Sequence, residues 1–254
     1  MEPTKARRAQ LRLAAVGLVT AAAVAGGTVF LMHGFSDDHP AAPPAPTATA
    51  TLPSTGPTPS KPPSTMTPEK GKPVKLNKPT GQRDGASIGF PRNGYGPLSA
   101  AVYHLEELSM LDDSMVRRQL TAITAKGSED SIDTAVSDVR KLREQLGLPP
   151  SGGTPAGLTI TTNVDAAQAW ALTDDGSVVQ VSMHYSRTAT LPKGGPDDSP
   201  LKNQMADVIV KWEDGDWKIT TEPQYVAKKT TPLPYKPDST ASWKDGWQMV
   251  VHAE

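Results

Sequence analysis

The sequence predicts an α+β chain in three parts: a transmembrane helix near the N-terminus, a disordered proline-rich tether, and one domain of three helices followed by an antiparallel sheet. Three observations predict it. Leu13 to Met32 is an uncharged apolar run. Twelve of the chain's 25 prolines fall between Pro40 and Pro79. Beyond Gly152-Gly153 the hydrophobic period changes from 3.6 to 2, the change that separates helix from strand.

About 20 apolar residues rising 1.5 Å each span ~30 Å, one hydrocarbon core, so residues 13–32 read as a membrane-spanning helix. Lys5, Arg7, Arg8 and Arg12 precede the run, whereas Asp37 and Asp38 follow it. The positive-inside bias therefore places residues 1–12 in the cytoplasm and the C-terminal domain outside, as a single-pass protein of the cell membrane. A cleaved signal peptide is the rival reading, with Ala23-Val24-Ala25 before Gly26 as its cleavage site. The apolar character that resumes through Val29-Phe30-Leu31-Met32 favours an uncleaved anchor.

Residues 33–87 hold little to bury and are expected as an extended linker, partly polyproline II. The chain has no cysteine, which excludes disulfides, thiol catalysis and a lipidated cysteine anchor. Four bases and Glu2 give residues 1–12 a net +3, so the remainder of a chain of net charge -1 sums to -4. Such a balance argues against a nucleic-acid partner outside the membrane.

The domain is expected over residues 88–222. Leu98, Ala101, Val102, Leu105 and Leu108 space a first helix that leaves His104, Glu106 and Glu107 toward solvent. A second runs from Ser114 to Lys126 and stops at Gly127. A third, capped by Ser128 or Asp130, carries Ile132, Ala135, Val136, Val139, Leu142 and Leu146 as its stripe and ends at Gly147. Strands follow at Leu158–Val164, Ala167–Thr173, Ser177–Thr190 and Met205–Trp212. The last closes in the hairpin Trp212-Glu213-Asp214-Gly215-Asp216-Trp217-Lys218-Ile219. In the arm Ser177–Thr190, Val179, Val181, Met183 and Tyr185 alternate with Gln180, Ser182, His184 and Ser186, the pattern of a sheet with one covered and one wetter face. Residues 223–254 are a proline- and tryptophan-containing extension that wraps back on the domain or adds an edge strand.

The helix stripes between Leu98 and Leu146, the arm Ser177–Thr190 and the W-x-D-G-x-W-x-I hairpin resemble the nuclear-transport-factor-two-like fold. That likeness implies a cone-like domain of three helices packed on a curved antiparallel sheet. With its short tail, single span and stalk, the chain is also similar to bitopic conjugal-transfer proteins of type IV secretion systems, in particular those of actinobacterial mobile elements. Gly89-Phe90-Pro91 before Ala100-Ala101-Val102 carries that likeness. It implies a non-enzymatic assembly subunit that docks on other membrane or secretion-channel proteins, often with self-association into a homo-oligomer. The alternative is a binding module that takes a lipid or cell-wall fragment in a cone-fold pocket.

The search for chemistry assigns no catalytic, cofactor-binding or metal-ligating residue. No G-x-S-x-G, H-E-x-x-H, Walker or G-x-G-x-x-G motif occurs. His33 and His39, on a flexible stalk, make a poor metal site, and alternation places His184 on the polar sheet face. Asp112-Asp113, Asp174-Asp175 and Asp197-Asp198 read as turn and cap chemistry. Trp212 and Trp217 read as a cross-strand pair. Trp243 and Trp247, if exposed, are the candidates for a partner contact; otherwise they pack onto the sheet.

Overall fold

The computed structural model describes residues 65–190, 197 and 200–253. The expected cytoplasmic tail, the apolar run 13–32 and the tether as far as residue 64 lie outside them, and no helix among the described residues is long and apolar enough to cross a membrane. The architecture is α+β: a curled, half-barrel sheet with helices against it.

Three helices come before the long strands, at Gly96–Glu107 (α1), Asp113–Ile123 (α2) and Asp130–Gln145 (α3). Asp112 caps α2 by accepting from the Met115 amide at 2.8 Å. Ser128 does not cap α3. Its hydroxyl instead accepts from the Thr221 amide and meets the Thr220 hydroxyl, joining the start of α3 to the end of the sheet. The sheet is built from β1 (Val74–Lys75), β4 (Thr159–Ala171), β5 (Val178–Thr190), β6 (Leu201–Glu213), β7 (Asp216–Ile219) and β8 (Gln248–Val251), in the order β1-β8-β4-β5-β6-β7. All neighbours are antiparallel except β1 and β8. A separate hairpin pairs β2 (Gly81–Arg83) with β3 (Ala86–Ile88).

The ordered body is thus longer than 88–222 at both ends. Residues 65–87, expected as linker, supply a 3-10 turn at Pro68–Lys70, the edge strand β1 and the β2–β3 hairpin, with Val74, Leu76 and Ala86 in the core. Residues 223–253 add two short helices, α4 (Pro223–Val226) and α5 (Thr240–Asp245), and then β8 beside β4. Pairing, not composition, orders these segments. β1 is only two residues long, but it hydrogen-bonds to β8, and the Leu76 amide extends that ladder to Val251 O.

The strands expected at Leu158–Val164 and Ala167–Thr173 are one strand interrupted by a bulge. Val164 faces Tyr185 and Ala166 faces His184, so Asp165 is the extra residue that resets the alternation.

α1 crosses the inner face of the sheet, where Leu98, Ala101, Val102 and Leu105 pack with Val181, Met183, Val210 and Trp217. It is buried nearly all round, so the polar residues expected toward solvent are not there. His104 is 1 % exposed and faces Ser87 O at 3.1 Å through Nε2. Glu107 accepts from the Ser87 amide and hydroxyl. Glu106 accepts from the Val164 amide beside the bulge and pairs with His252 at 2.8 Å.

The lead-in to α1 is fixed by the hairpin. The buried Asp216 carboxylate accepts from the amides of Gly89, Phe90 and Trp217, and the Trp217 indole donates to Pro91 O at 3.1 Å. Gly96 lies beneath this contact, where a Cβ would stand 1.8 Å from Pro91 O.

A second small cluster of Met110, Leu111, Leu146 and Leu158 closes the far end of the sheet. Beside it Arg143 donates to the carbonyls of Leu111, Pro149 and Gly153, while Asp113 accepts from the Gly152 amide, the Ser151 hydroxyl and Arg140.

Two stability measurements follow. Asp216→Ala strands two buried or half-buried amides of the Gly89-Phe90 turn, and urea denaturation should register a loss of about 3 kcal/mol; an unchanged midpoint contradicts the assigned role. Burial lowers the His104 pKa from 6.5 to about 4. A neutral histidine favoured by the fold stabilises fully above the unfolded pKa, and its contribution falls as pH drops from about 6.5 to 4. The slope is up to ~1.4 kcal/mol per pH unit and the sum about 3 kcal/mol. His104→Gln should flatten that part of the profile. The fall tied to Asp113, whose pKa is lowered chiefly by the Gly152 amide, sets in only near pH 3.8.

Candidate functional site

The outer, polar face of the sheet is covered by the chain's own C-terminal segment. After α4, residues 227–239 cross β5 toward β4 as a strap. Gln180 on β5 holds it through two bonds, donating to Thr230 O at 2.7 Å and accepting from the Thr230 amide at 2.9 Å. Farther along, the Leu233 amide donates to Asp245, Ser242 donates to Pro234 O, and the Trp247 indole donates to Leu233 O at 2.8 Å. Gln168, Gln180 and Ser182 are buried as a result, so the face expected to be wetter is enclosed by polar contacts.

Trp247 is 0 % exposed and lies within 5.5 Å of the Tyr235 ring. It is a packing residue that fixes the strap and is not free to meet a partner. Trp243 is half-buried against Gly71, whose missing Cβ leaves room for the indole.

Two of the clefts beside the strap lie along residues 230–238. The larger, of about 580 Å³, is lined by Asp165, His184, Asn203, Met205, Tyr235, Lys236 and Asp238, among others. Its polar groups are placed by two bulges flanking one strand. Asp165 is the extra residue of β4, and Asn203, at φ 55°, lies in the register shift of β6 opposite Ser186. His184, on β5 between them, stands 3.3 Å from Asp165 Oδ2 through Nδ1. That spacing permits charge pairing, although the alignment is not that of a hydrogen bond. The Tyr235 ring covers the imidazole at 4.8 Å. Desolvation lowers the His184 pKa and the Asp165 charge opposes the shift, so burial favours the neutral imidazole.

The smaller cleft, of about 100 Å³, is lined by Gln168, Trp170, Gln180, Ser182, Thr230, Thr231, Pro232 and Asp245.

No group of three metal-ligating side chains occurs among the described residues. His33 and His39 lie outside them. The space between α1 and the sheet, where a cone-fold pocket would lie, is filled by Val102, Val181, Met183 and Val210, all fully buried. Of the acid pairs, Asp112 caps α2 and Asp175 accepts from the Ser177 amide and hydroxyl, as turn and cap chemistry requires, and Asp197 accepts from the Ala189 amide; Asp113 instead joins distant segments through Arg140, Ser151 and the Gly152 amide.

The chain matches no family model, no curated protein and no solved structure.

Sequence reasoning placed His184 on the outer face but missed Asp165, Asn203, Gln168, Trp170 and Tyr235. Asn163-Val164-Asp165-Ala166-Ala167, which breaks the alternation inside a strand pattern, was the available signal for the bulge.

Gln180→Leu removes both bonds to Thr230 while keeping similar bulk. Limited proteolysis should then cut residues 227–239 at least tenfold faster than in the native chain, with the sheet still folded by circular dichroism. Equal cleavage rates contradict the strap's anchoring.

Proposed function

We propose that the chain is a membrane-anchored, non-enzymatic interaction subunit of a conjugation or secretion apparatus, its C-terminal body docking on other membrane or secretion-channel proteins outside the cell and self-associating. The observation that carries this reading is the order of parts along the chain. A run of uncharged residues able to span a bilayer is bracketed by bases before and acids after; a proline-rich segment follows, and then one α+β body. A body whose concave side is filled with side chains offers a partner its surfaces, which suits docking better than enclosure of a substrate.

The finer fold reading belongs with this proposal. The body is a variant of the nuclear-transport-factor-two-like cone, supported by three helices ahead of long antiparallel arms and by the D-G hairpin that closes them. It departs from the basic cone in its edge strand β1, in β8 beside it and in the strap.

Fusion of a periplasm- or surface-active reporter to the C-terminus should give activity only outside the cytosol, and the membrane fraction should retain the full-length chain. In situ crosslinking should recover channel proteins encoded beside it, and deletion should lower DNA transfer at least tenfold. A secreted product beginning near Gly26 overturns the anchoring. Crosslinks to no channel protein together with unchanged transfer overturn the role in an apparatus.

A further inference from the structure

Charge is unevenly placed along the body. Residues 65–83 carry five bases, Lys70, Lys72, Lys75, Lys78 and Arg83, against the single acid Glu69, a net +4. Residues 84–253 carry 16 bases and 22 acids, a net -6. All five bases of the first segment are exposed, and none forms an ion pair or a side-chain hydrogen bond among the described residues. By contrast, Arg92, Arg117, Lys126, Arg140, Lys141 and Lys211 each pair with a carboxylate.

The four lysines follow one edge of the sheet. β1 is its last strand, and Val74 and Leu76 are buried in the core, so Lys75 between them points outward, beside the 44 % exposed Val251 of β8. Lys70 and Lys72 lie in the segment that leads into β1 and Lys78 just beyond it, so the row is at most about 30 Å long. The strap and α5 close on the same segment: the Glu69 amide donates to Pro237 O, and Trp243 packs against Gly71. The exposed Lys236 and Lys244 therefore border the row, with Glu69 and Asp238 as the exposed acids there. Edge lysines guard a sheet against pairing with another chain. Lys75 alone meets that need on a strand of two residues, whereas Lys70, Lys72 and Lys78 lie outside the strand.

The point at which the chain enters the body decides what this row meets. Residues 33–64 separate the apolar run 13–32 from the body, and 32 residues reach about 110 Å at full extension. The first lysine of the row follows six residues later, so along the chain the row is the part of the body nearest the bilayer of the anchored reading. At physiological salt charges act over only about 8 Å, so these cations work by contact. An anionic bilayer repels the net -6 of the remainder, which leaves the row as the face able to settle on it. We infer that Lys70, Lys72, Lys75 and Lys78 form the face by which the body lies on the anionic lipid headgroups of the membrane that holds residues 13–32. The inference rests on the anchored reading and deepens it, because a body fixed by one face presents its other faces to a partner protein.

The test places the full chain in sealed vesicles of phosphatidylcholine, alone or with about one-third phosphatidylglycerol. The chain has no cysteine, so Gln82→Cys at the exposed β2–β3 hairpin takes a single donor dye, which when added from outside labels only outward-facing bodies. Energy transfer to an acceptor on the headgroups should be at least twofold greater with phosphatidylglycerol than without it, and should fall to the phosphatidylcholine level in about 0.5 M salt. Lys70→Gln, Lys72→Gln, Lys75→Gln and Lys78→Gln together should abolish the difference with an unchanged circular dichroism spectrum, and the four arginine substitutions should keep it. Equal transfer in the two lipids, or a difference that survives the glutamine substitutions, overturns the proposal. Equal transfer combined with salt-sensitive binding of soluble polyphosphate assigns the row to a free polyanion and overturns the lipid surface. Extraction with alkaline carbonate reports the anchor separately: release of the chain overturns the anchored reading and this inference with it, whereas retention with lipid-independent transfer overturns this inference alone.

Discussion

The fold depends on one carboxylate. Asp216 sits in the second arm of the D-G hairpin, and its two oxygens collect the amides of Gly89, Phe90 and Trp217. A turn that runs into a helix has several amide donors with no partner of their own, and burying them without an acceptor would oppose folding. With Asp216 in place, the Gly89-Phe90-Pro91 turn can be buried, Phe90 can enter the core, and α1 starts at a fixed point above the inner face. The Trp217 indole on Pro91 O makes the same join from the neighbouring residue, and Gly96 permits the backbones to approach that closely. Residues more than 120 positions apart are thereby made one unit.

The consequence is a helix buried on more sides than its sequence advertises. α1 is overlaid by the β2–β3 hairpin, so His104 is buried and Glu107 half-buried. Each acid found a structural use: Glu107 takes the Ser87 donors, and Glu106 takes the Val164 amide next to the bulge. His104 is satisfied at Nε2 alone, and burial keeps it neutral. The helical spacing of Leu98, Ala101, Val102 and Leu105 correctly named one packed face, but periodicity reports relative hydrophobicity around a helix. It says nothing of a second layer placed over the polar side.

Legibility followed the range of the interactions. The three helices, the D-G hairpin and the outward direction of His184 were readable because each is set by neighbours within a few positions. Even the break between Val164 and Ala167 was visible, and the structure shows it as the Asp165 bulge within one strand. What the sequence concealed depends on long-range pairing. Val74-Lys75 becomes a strand because β8 offers it an edge; residues 223–253 were read as wrapping back or adding a strand, but the anchors that hold them, Gln180 and Asp245, were not legible. Two residues are too few to carry a strand pattern of their own. Trp247 was read as a residue available to partners only if exposed, and its burial follows from the strap that its indole secures.

The alternation of Gln180, Ser182 and His184 with apolar residues reads as a solvent-facing strand, yet two of the three are buried. The polar side chains serve here as the adhesive for an extended segment that lacks a ladder of its own. Pro232, Pro234 and Pro237 interrupt the strap's amides, so side-chain amides and carboxylates from the sheet and α5 supply what a neighbouring strand would have supplied. The two described clefts flank this strap, and Gln168 and His184, whose Oε1 and Nδ1 atoms are buried without a hydrogen bond, are among their lining residues. The filled concave side and the gapped convex side therefore have one origin: apolar side chains close one face of the sheet, while directional bonds hold the cover on the other.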